Sequence, residues 1–187
     1  MAFTFNVHRN FEGLHAPFSA SQSAWLRYDD EKAREVGISR RATEQGTLLH
    51  AWAKSTIDLG IKQPNTKKTI YAYVNDAIGY RMKTEVVLLY SNRFFGTADA
   101  ISFRNNFLRI HDLKTGRTAV KMEQLRVYAA LFCLEYKVKP GDIGIELRIY
   151  QNDDVQCEIP EVDEIAHIMD RIVHLDKLLE KIEREEG

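Results

Sequence analysis

Two carboxylates and a lysine lie close together near the middle of the chain, in the segments GTADAI and IHDLK. Asp112 and Lys114 are two residues apart, so on a β-strand their side chains point to the same face while Leu113 points into the packing. Asp99 lies on the strand predicted just before. Paired carboxylates suit a hard cation such as Mg²⁺, which keeps waters and a substrate phosphate among its ligands. The spacing therefore predicts a metal site for phosphodiester chemistry, with Asp99 as the shared ligand.

The lysine and a backbone carbonyl complete this predicted chemistry. The ammonium of Lys114 could orient or deprotonate a metal-bound water, or stabilise charge on the phosphate. The carbonyl of Leu113 can reach a metal that Asp112 holds. The alternative is an ordinary surface ion pair between Asp112 and Lys114, since such pairs are frequent and contribute little to stability.

Short segments rich in β-branched and aromatic residues place these acids on strands. The asparagine pair Asn105-Asn106 fits a tight hairpin turn because asparagine tolerates positive φ, and Asn152-Asp153 separates the last two strands. The predicted strands cover residues 84–91, 96–103, 107–113, 143–151 and 155–159.

Helical patterns surround the strands. The first predicted helix has Ser19 or Ser21 as its N-cap. The order of helices, three antiparallel strands, a helix, two strands and a helix predicts an α/β sheet flanked by helices on its faces. The predicted helices cover residues 19–35, 41–59, 69–82, 120–136 and 162–184.

Composition describes an ordinary globular protein that fits one domain of 187 residues. With 26 basic and 27 acidic residues the net charge is −1, so only local patches could bind nucleic acid. Cys133 and Cys157 form no CxxC motif and are expected to be reduced thiols in a cytosolic protein. The chain has no long apolar run and its start has no signal-peptide core, so we expect a cytoplasmic protein without membrane contact.

Four motifs in this order resemble the RecB-like branch of the PD-(D/E)XK nuclease superfamily. That branch includes CRISPR-associated adaptation nucleases and phage recombination exonucleases, and its pattern is a helical histidine, a GxxD strand, a D/ExK strand and a QxxxY helix. The resemblance covers roughly residues 19–150. The matching residues are His50 in GTLLHAW, Asp99 in GTAD, Asp112 and Lys114 in DLK, and Gln124 and Tyr128 in QLRVY.

The resemblance implies a restriction-endonuclease-like core with a mixed central β-sheet. It divides a single domain over residues 1–187 into a helical part at about 19–82, a catalytic core at about 83–160 and a C-terminal helix at about 162–184. His50 would then be a metal ligand that makes the site accept Mn²⁺ readily beside Mg²⁺. Glu85 is a secondary candidate for a water-mediated metal contact. The alternatives are a packed core histidine and an exposed strand-start glutamate.

Gln124 and Tyr128 are four residues apart and therefore share one helical face. The resemblance implies that this pair contacts DNA and supports the active site. Lys121 shares that face, and Arg117 and Arg126 lie near enough in sequence to contact phosphates. The alternative is a packed tyrosine with a polar neighbour and solvated basic side chains.

The resemblance also limits the cofactors. Many members of the branch hold an iron–sulfur cluster with four cysteines, which this chain cannot do with two. No Walker A sequence is present, so neither a nucleotide cofactor nor a helicase motor is expected. The expected cofactor is Mg²⁺ or Mn²⁺ alone.

These residues together predict a metal-dependent DNA exonuclease for recombination, repair or end processing, acting on DNA with a free end or a single-stranded region. A phage source fits, as does a recombination or replication protein as partner in a bacterial or phage-infected cell. Three alternatives stay open: a structure-specific or nicking endonuclease with the same site, a non-catalytic nucleic-acid-binding subunit on a degenerate nuclease fold, and a metal-dependent hydrolase of another substrate. The intact acids and lysine favour catalysis.

Overall fold

A computed structural model describes residues 16, 18–20, 23–116 and 121–186. What the sequence predicts as one domain is divided into two compact units, Met1–Thr47 and Leu48–Gly187. The predicted site residues from His50 to Tyr128 belong to the second unit. Among the described residues, no helix has the length and apolar character needed to span a membrane.

The first long helix, α1, runs over Asp30–Asp58 and follows a 3₁₀ turn at Ser23–Arg27. The carboxylate of Asp29 accepts a hydrogen bond from the backbone N–H of Lys32 at 2.8 Å. Asp29 therefore satisfies one of the N–H groups that the first helical turn leaves without a partner.

The prediction of two separate helices in this region, over residues 19–35 and 41–59, is wrong. Residues 36–40 contain no proline, and a lone glycine such as Gly37 lowers helix propensity without ending a helix. The predicted cap is wrong as well for Ser19, which lies outside any helix, while Ser21 lies outside the described residues.

A five-stranded sheet forms the centre of the second unit, with spatial order β1-β2-β3-β4-β5. The β3–β4 pair is parallel and the other three pairs are antiparallel, so the prediction of a mixed α/β sheet is confirmed. The strands are β1 Lys83–Ser91, β2 Phe94–Arg104, β3 Phe107–Leu113, β4 Gly144–Gln151 and β5 Asp154–Glu158.

The predicted hairpin turn at Asn105-Asn106 is confirmed, and the Asn152-Asp153 pair that separates the last two strands forms a second one. Asn105 and Asn106 have φ of 52° and 55°, and Asn152 and Asp153 have φ of 51° and 59°. Two consecutive residues with positive φ are the requirement of the turn whose twist matches the flanking strands. Asparagine and aspartate adopt this conformation more easily than other residues with a side chain, which is why the local sequence was sufficient here.

Helices cover both faces of the sheet. They are α2 Thr69–Gly79, α3 Glu123–Tyr136 and α4 Val162–Glu186. The parallel β3–β4 pair needs a crossover, and α3 supplies it. Residues of α3 and α4 share one buried cluster with Ile110 and Ile149, whereas residues from the last turns of α1 and from α2 share another with Leu113 and Tyr150. Neighbouring positions on one strand thus pack into different layers.

Candidate active site

The two predicted acids lie where the ladder between β2 and β3 stops. The last pair of that ladder is Ala100–His111, and Asp99 and Asp112 are the next residues on the two strands. Beyond the last pair, on the side of β3 that faces β2, the backbone N–H of Leu113 donates a hydrogen bond to the side-chain Oδ2 of Asp99 at 3.0 Å. The end of strand pairing therefore puts both carboxylates at one opening in the sheet.

Asp112 is almost fully buried, with 2% of its surface exposed. The Lys114 ammonium lies 3.1 Å from its Oδ1 and 2.9 Å from its Oδ2, yet Oδ2 receives no well-oriented hydrogen bond from any described residue. Burial, followed by the charge of Asp99, raises the pKa of Asp112, while Lys114 and His50 act in the opposite direction. Burial and the neighbouring Asp99 carboxylate thus make the ionised form of Asp112 less favourable than in water.

A hydrogen-bonded chain joins the end of β3 to α3. The Lys114 ammonium donates to Oε1 of Gln124 at 2.9 Å, and Nε2 of Gln124 donates to the Tyr128 hydroxyl at 3.0 Å. A Cβ at Gly96 would lie 2.7 Å from Cε1 of Tyr128, which is too close for two carbon atoms. The glycine of GTAD therefore leaves the space on β2 that the Tyr128 ring occupies. The backbone N–H of Lys114 bonds the carbonyl of Tyr150 at 2.9 Å, which fixes the end of β3.

His50, on α1, lies beside the other acid. Its Nδ1 is 3.4 Å from Oδ2 of Asp99, and about a third of the His50 side chain is exposed. His50, Tyr73, Glu85 and Asp99 line one small concavity, together with Ala53 and Lys54; we call it the acid cleft.

Glu85 reaches the acid cleft through an unusual backbone conformation. It lies between the pairs Thr84–Ala100 and Val86–Ala98, which places it opposite Asp99 on the neighbouring strand. Its φ is 49°, in the left-handed region that is strained for a residue with a side chain. Strain of this kind is concentrated at functional sites, so the conformation favours a role for Glu85 beyond an ordinary strand residue.

Sequence reasoning missed two residues of the acid cleft. Tyr73 is buried on α2, and burial, followed by the charges of Asp99 and Asp112, raises the pKa of its hydroxyl. Lys54 lines the cleft while bonding Asp58 at 2.6 Å. A tyrosine on an apolar helix face and a lysine four residues before an aspartate are ordinary patterns, so the sequence carries no signal that distinguishes them.

The basic residues predicted to contact DNA lie in different surroundings from Asp99 and Asp112. Arg126 makes two hydrogen bonds to Glu158 on β5, at 2.7 and 2.9 Å, and so faces the far end of the sheet. Lys121 is exposed just before α3. Arg117 lies outside the described residues. Leu113 is buried as predicted, and the role of its carbonyl as a metal ligand stays a prediction.

The donor types at the site fit a hard divalent cation. Two carboxylates and an imidazole are available from Asp99, Asp112 and His50, and the buried Oδ2 of Asp112 has no hydrogen bond to the described part of the chain. Within the described part of the chain, however, no three His, Cys, Asp or Glu side chains form a ready metal-binding group. Side-chain movement would have to bring the donors together around an ion.

In comparisons with known proteins, no protein-family model, no curated protein and no solved structure matches this chain.

Proposed function

We propose that the chain is a Mg²⁺- or Mn²⁺-dependent DNA exonuclease of the RecB-like PD-(D/E)XK type. The observation that carries the proposal is the position of the Lys114 ammonium, 2.9 Å from a buried Asp112 carboxylate at the point where β2 and β3 separate. Such a lysine next to paired acids fits the activation of water beside a metal-bound phosphate.

Each side chain has a separate task in this proposal. Asp99, Asp112 and His50 would hold the cation, with the Leu113 carbonyl as a further ligand and Glu85 acting through water. A bound ion would supply Lewis-acid stabilisation of the phosphate and would lower the pKa of a bound water. The Lys114 ammonium would orient the attacking water, and Asp112 would have to be ionised to bind the ion.

The proposed substrate is DNA with a free end or a single-stranded region. The protein would act in recombination, repair or end processing in the cytoplasm of a bacterial or phage-infected cell. A recombination or replication protein would be its partner. Support for a nucleic-acid substrate comes from the site chemistry, since a hard cation, carboxylates and a lysine suit a phosphodiester better than a neutral ester.

One cleavage assay tests the proposal. End-labelled linear DNA and a covalently closed circle are incubated with Mg²⁺, Mn²⁺ or EDTA, using the parent protein, Asp112→Ala and Lys114→Ala. The matched controls are Asp170→Ala and Lys181→Ala, which remove the same charges from exposed positions on α4. We expect metal-dependent loss of linear DNA only, abolished by the two site variants and retained in the controls.

Other results of this assay would each favour a different function. Nicking or linearisation of the closed circle would favour a structure-specific or nicking endonuclease. DNA binding by the folded parent protein without cleavage in either metal would favour a non-catalytic subunit. Parental turnover by folded Asp112→Ala would contradict the assignment of the active site.

A further inference from the structure

A second cavity, of about 300 Å³, opens beside β1 and β2 and shares no lining residue with the acid cleft. Three aromatic rings form one of its walls. The ring centroids of Phe103 and Phe132 are 5.0 Å apart, and those of Phe132 and Tyr136 are 4.8 Å apart. Phe132 is buried, but 40% of Phe103 and 54% of Tyr136 are exposed. The wall therefore presents two aromatic surfaces to solvent.

Three cations, Arg81, Lys83 and Arg104, also line this cavity, which we call the cation cavity. Within the described ranges, none of the three has a carboxylate at salt-bridge distance, whereas Arg93, Arg126 and Arg148 are all paired. The charge of Lys83 contributes to lowering the pKa of Asp58. The carboxylate of Asp58, however, accepts its hydrogen bonds from Lys54 and Thr84. Among the described residues, the cavity thus carries three cations that form no ion pair with a carboxylate.

The backbone at Arg81 gives a second, independent observation. Arg81 follows α2 with φ of 53°. Its N–H bonds the carbonyl of Ile78, and the N–H of Met82 bonds the carbonyl of Ala77, at 3.0 and 2.9 Å. This pair of backbone hydrogen bonds ends a helix at a residue in the left-handed conformation, and that residue is usually glycine. Glycine would form this helix end more easily than arginine, yet the position carries Arg81, whose side chain lines the cavity.

We propose that the cation cavity is a subsite for single-stranded DNA, in which a base stacks on Phe103 or Tyr136 and phosphates contact Arg81, Lys83 and Arg104. Unpaired cations beside exposed aromatic rings are the combination that binds unpaired strands without reading sequence. The inference rests on the proposed nuclease function and extends it. Phe132 of the cation cavity belongs to the buried cluster of α3 and α4, whereas Tyr73 of the acid cleft belongs to the cluster of α1 and α2, so the subsite and the acid cleft lie on opposite faces of the sheet.

The test is binding of a fluorescently labelled oligothymidine in EDTA, followed by anisotropy over a series of salt concentrations. Phe103→Leu keeps the apolar volume but removes the aromatic face, and we expect its affinity to fall about tenfold. Arg81→Gly should weaken binding and lower the slope of log affinity against log salt by about 0.7, the value for one phosphate contact on a single strand. Thermal melting should show both variants folded, with Arg81→Gly no less stable than the parent protein.

Lys137→Gly is the matched control, because Lys137 is also a cation at a left-handed helix end, with φ of 55°, and does not line the cavity. It should bind oligothymidine like the parent protein. Equal losses in Lys137→Gly and Arg81→Gly would overturn the subsite, since the effect would then be one of overall charge. Parental affinity in both Arg81→Gly and Phe103→Leu would overturn it too.

Cleavage of linear DNA by the same proteins separates this inference from the proposed function. If the parent protein cleaves DNA while the cavity variants bind oligothymidine normally, the nuclease proposal stands and the subsite does not. If the parent protein never cleaves but the cavity variants lose binding, the subsite stands on a non-catalytic protein.

Discussion

The Lys114 ammonium donates a hydrogen bond to the side-chain carbonyl of Gln124, with 2.9 Å between Nζ and Oε1. The same ammonium contacts both oxygens of Asp112, so it lies between the end of β3 and the start of α3. A lysine side chain has several rotatable bonds and loses its position easily. Gln124 therefore restrains the ammonium, and Nε2 of Gln124 donates in turn to the Tyr128 hydroxyl at 3.0 Å.

This relationship predicts that Gln124→Ala lowers the rate of DNA cleavage about tenfold, because one hydrogen bond to a charged group is lost. Tyr128→Phe should have a smaller effect in the same direction, since its ring still packs over Gly96. The double variant should be no worse than Gln124→Ala alone, because both residues act through one ammonium. Single-turnover rates measured beside thermal melts would check this. Parental rates in both single variants would mean that the QxxxY motif serves only packing.

His50→Ala should weaken metal binding without unfolding the protein. The imidazole lies 3.4 Å from Asp99 and is one-third exposed, so its loss leaves no buried cavity. Titration with Mn²⁺, followed by calorimetry, should show an affinity about tenfold or more below that of the parent protein. His167→Ala, on the exposed side of α4, is the matched control. A lower melting temperature with unchanged metal affinity would show that His50 is a core residue instead.

The local signals in the sequence were sufficient for the strands and turns but not for the site geometry. Alternating apolar residues and the Asn105-Asn106 pair define β2 and β3, because those signals act between neighbours. The position of Lys114 depends on a side chain ten residues later, on another element. The left-handed backbone of Glu85 likewise depends on the strand opposite, so no propensity of glutamate could predict it.

Asp112→Asn should stabilise the metal-free protein at pH 7 while abolishing cleavage. The pKa of Asp112 is raised, so its ionised form is less favourable in the folded protein than in the unfolded chain. That cost is present above the folded pKa and disappears as the pH falls towards the unfolded value. The gain in melting temperature should therefore shrink in acid, and added Mg²⁺ should stabilise only the parent protein.

Asp170→Asn is the control for that experiment, because Asp170 is exposed on α4. If Asp112→Asn melted below the parent protein at pH 7, the ion pair with Lys114 would outweigh the cost of burial.

Two substitutions at Glu85 should separate backbone strain from carboxylate chemistry. Glu85→Gly accommodates the φ of 49° without a Cβ clash, whereas Glu85→Gln keeps the strained backbone and removes only the charge. We expect the glycine variant to be about 1 kcal/mol more stable than the glutamine variant in urea unfolding. Both should lose metal affinity to the same degree if the carboxylate acts through water. Equal stability of the two variants would indicate that the left-handed conformation carries no strain.

The last prediction concerns His111, which is fully buried one residue before Asp112. The Tyr150 hydroxyl donates to Asp76 at 2.6 Å and lies 3.2 Å from Nδ1 of His111, while Nε2 of His111 lies 3.9 Å from a carboxylate oxygen of Glu146. Burial, followed by the charges of Arg148 and Arg109, lowers the pKa of His111 to about 3. The ring is therefore neutral in the folded protein throughout the physiological range.

Because the unfolded histidine binds a proton near pH 6.5 and the folded one does not, stability should fall as the pH decreases from about 6.5 towards 3. Between pH 7 and pH 5 this single group should account for a loss of about 2 kcal/mol. His111→Phe keeps a ring in the core and should remove that part of the pH dependence in urea unfolding, even if its stability at pH 7 is lower. The imidazole resonances of His111 should also not titrate above pH 4 in NMR spectra of the parent protein. A His111 resonance that titrates near pH 6.5 would show that the ring is solvated, and would remove the physical basis of this prediction.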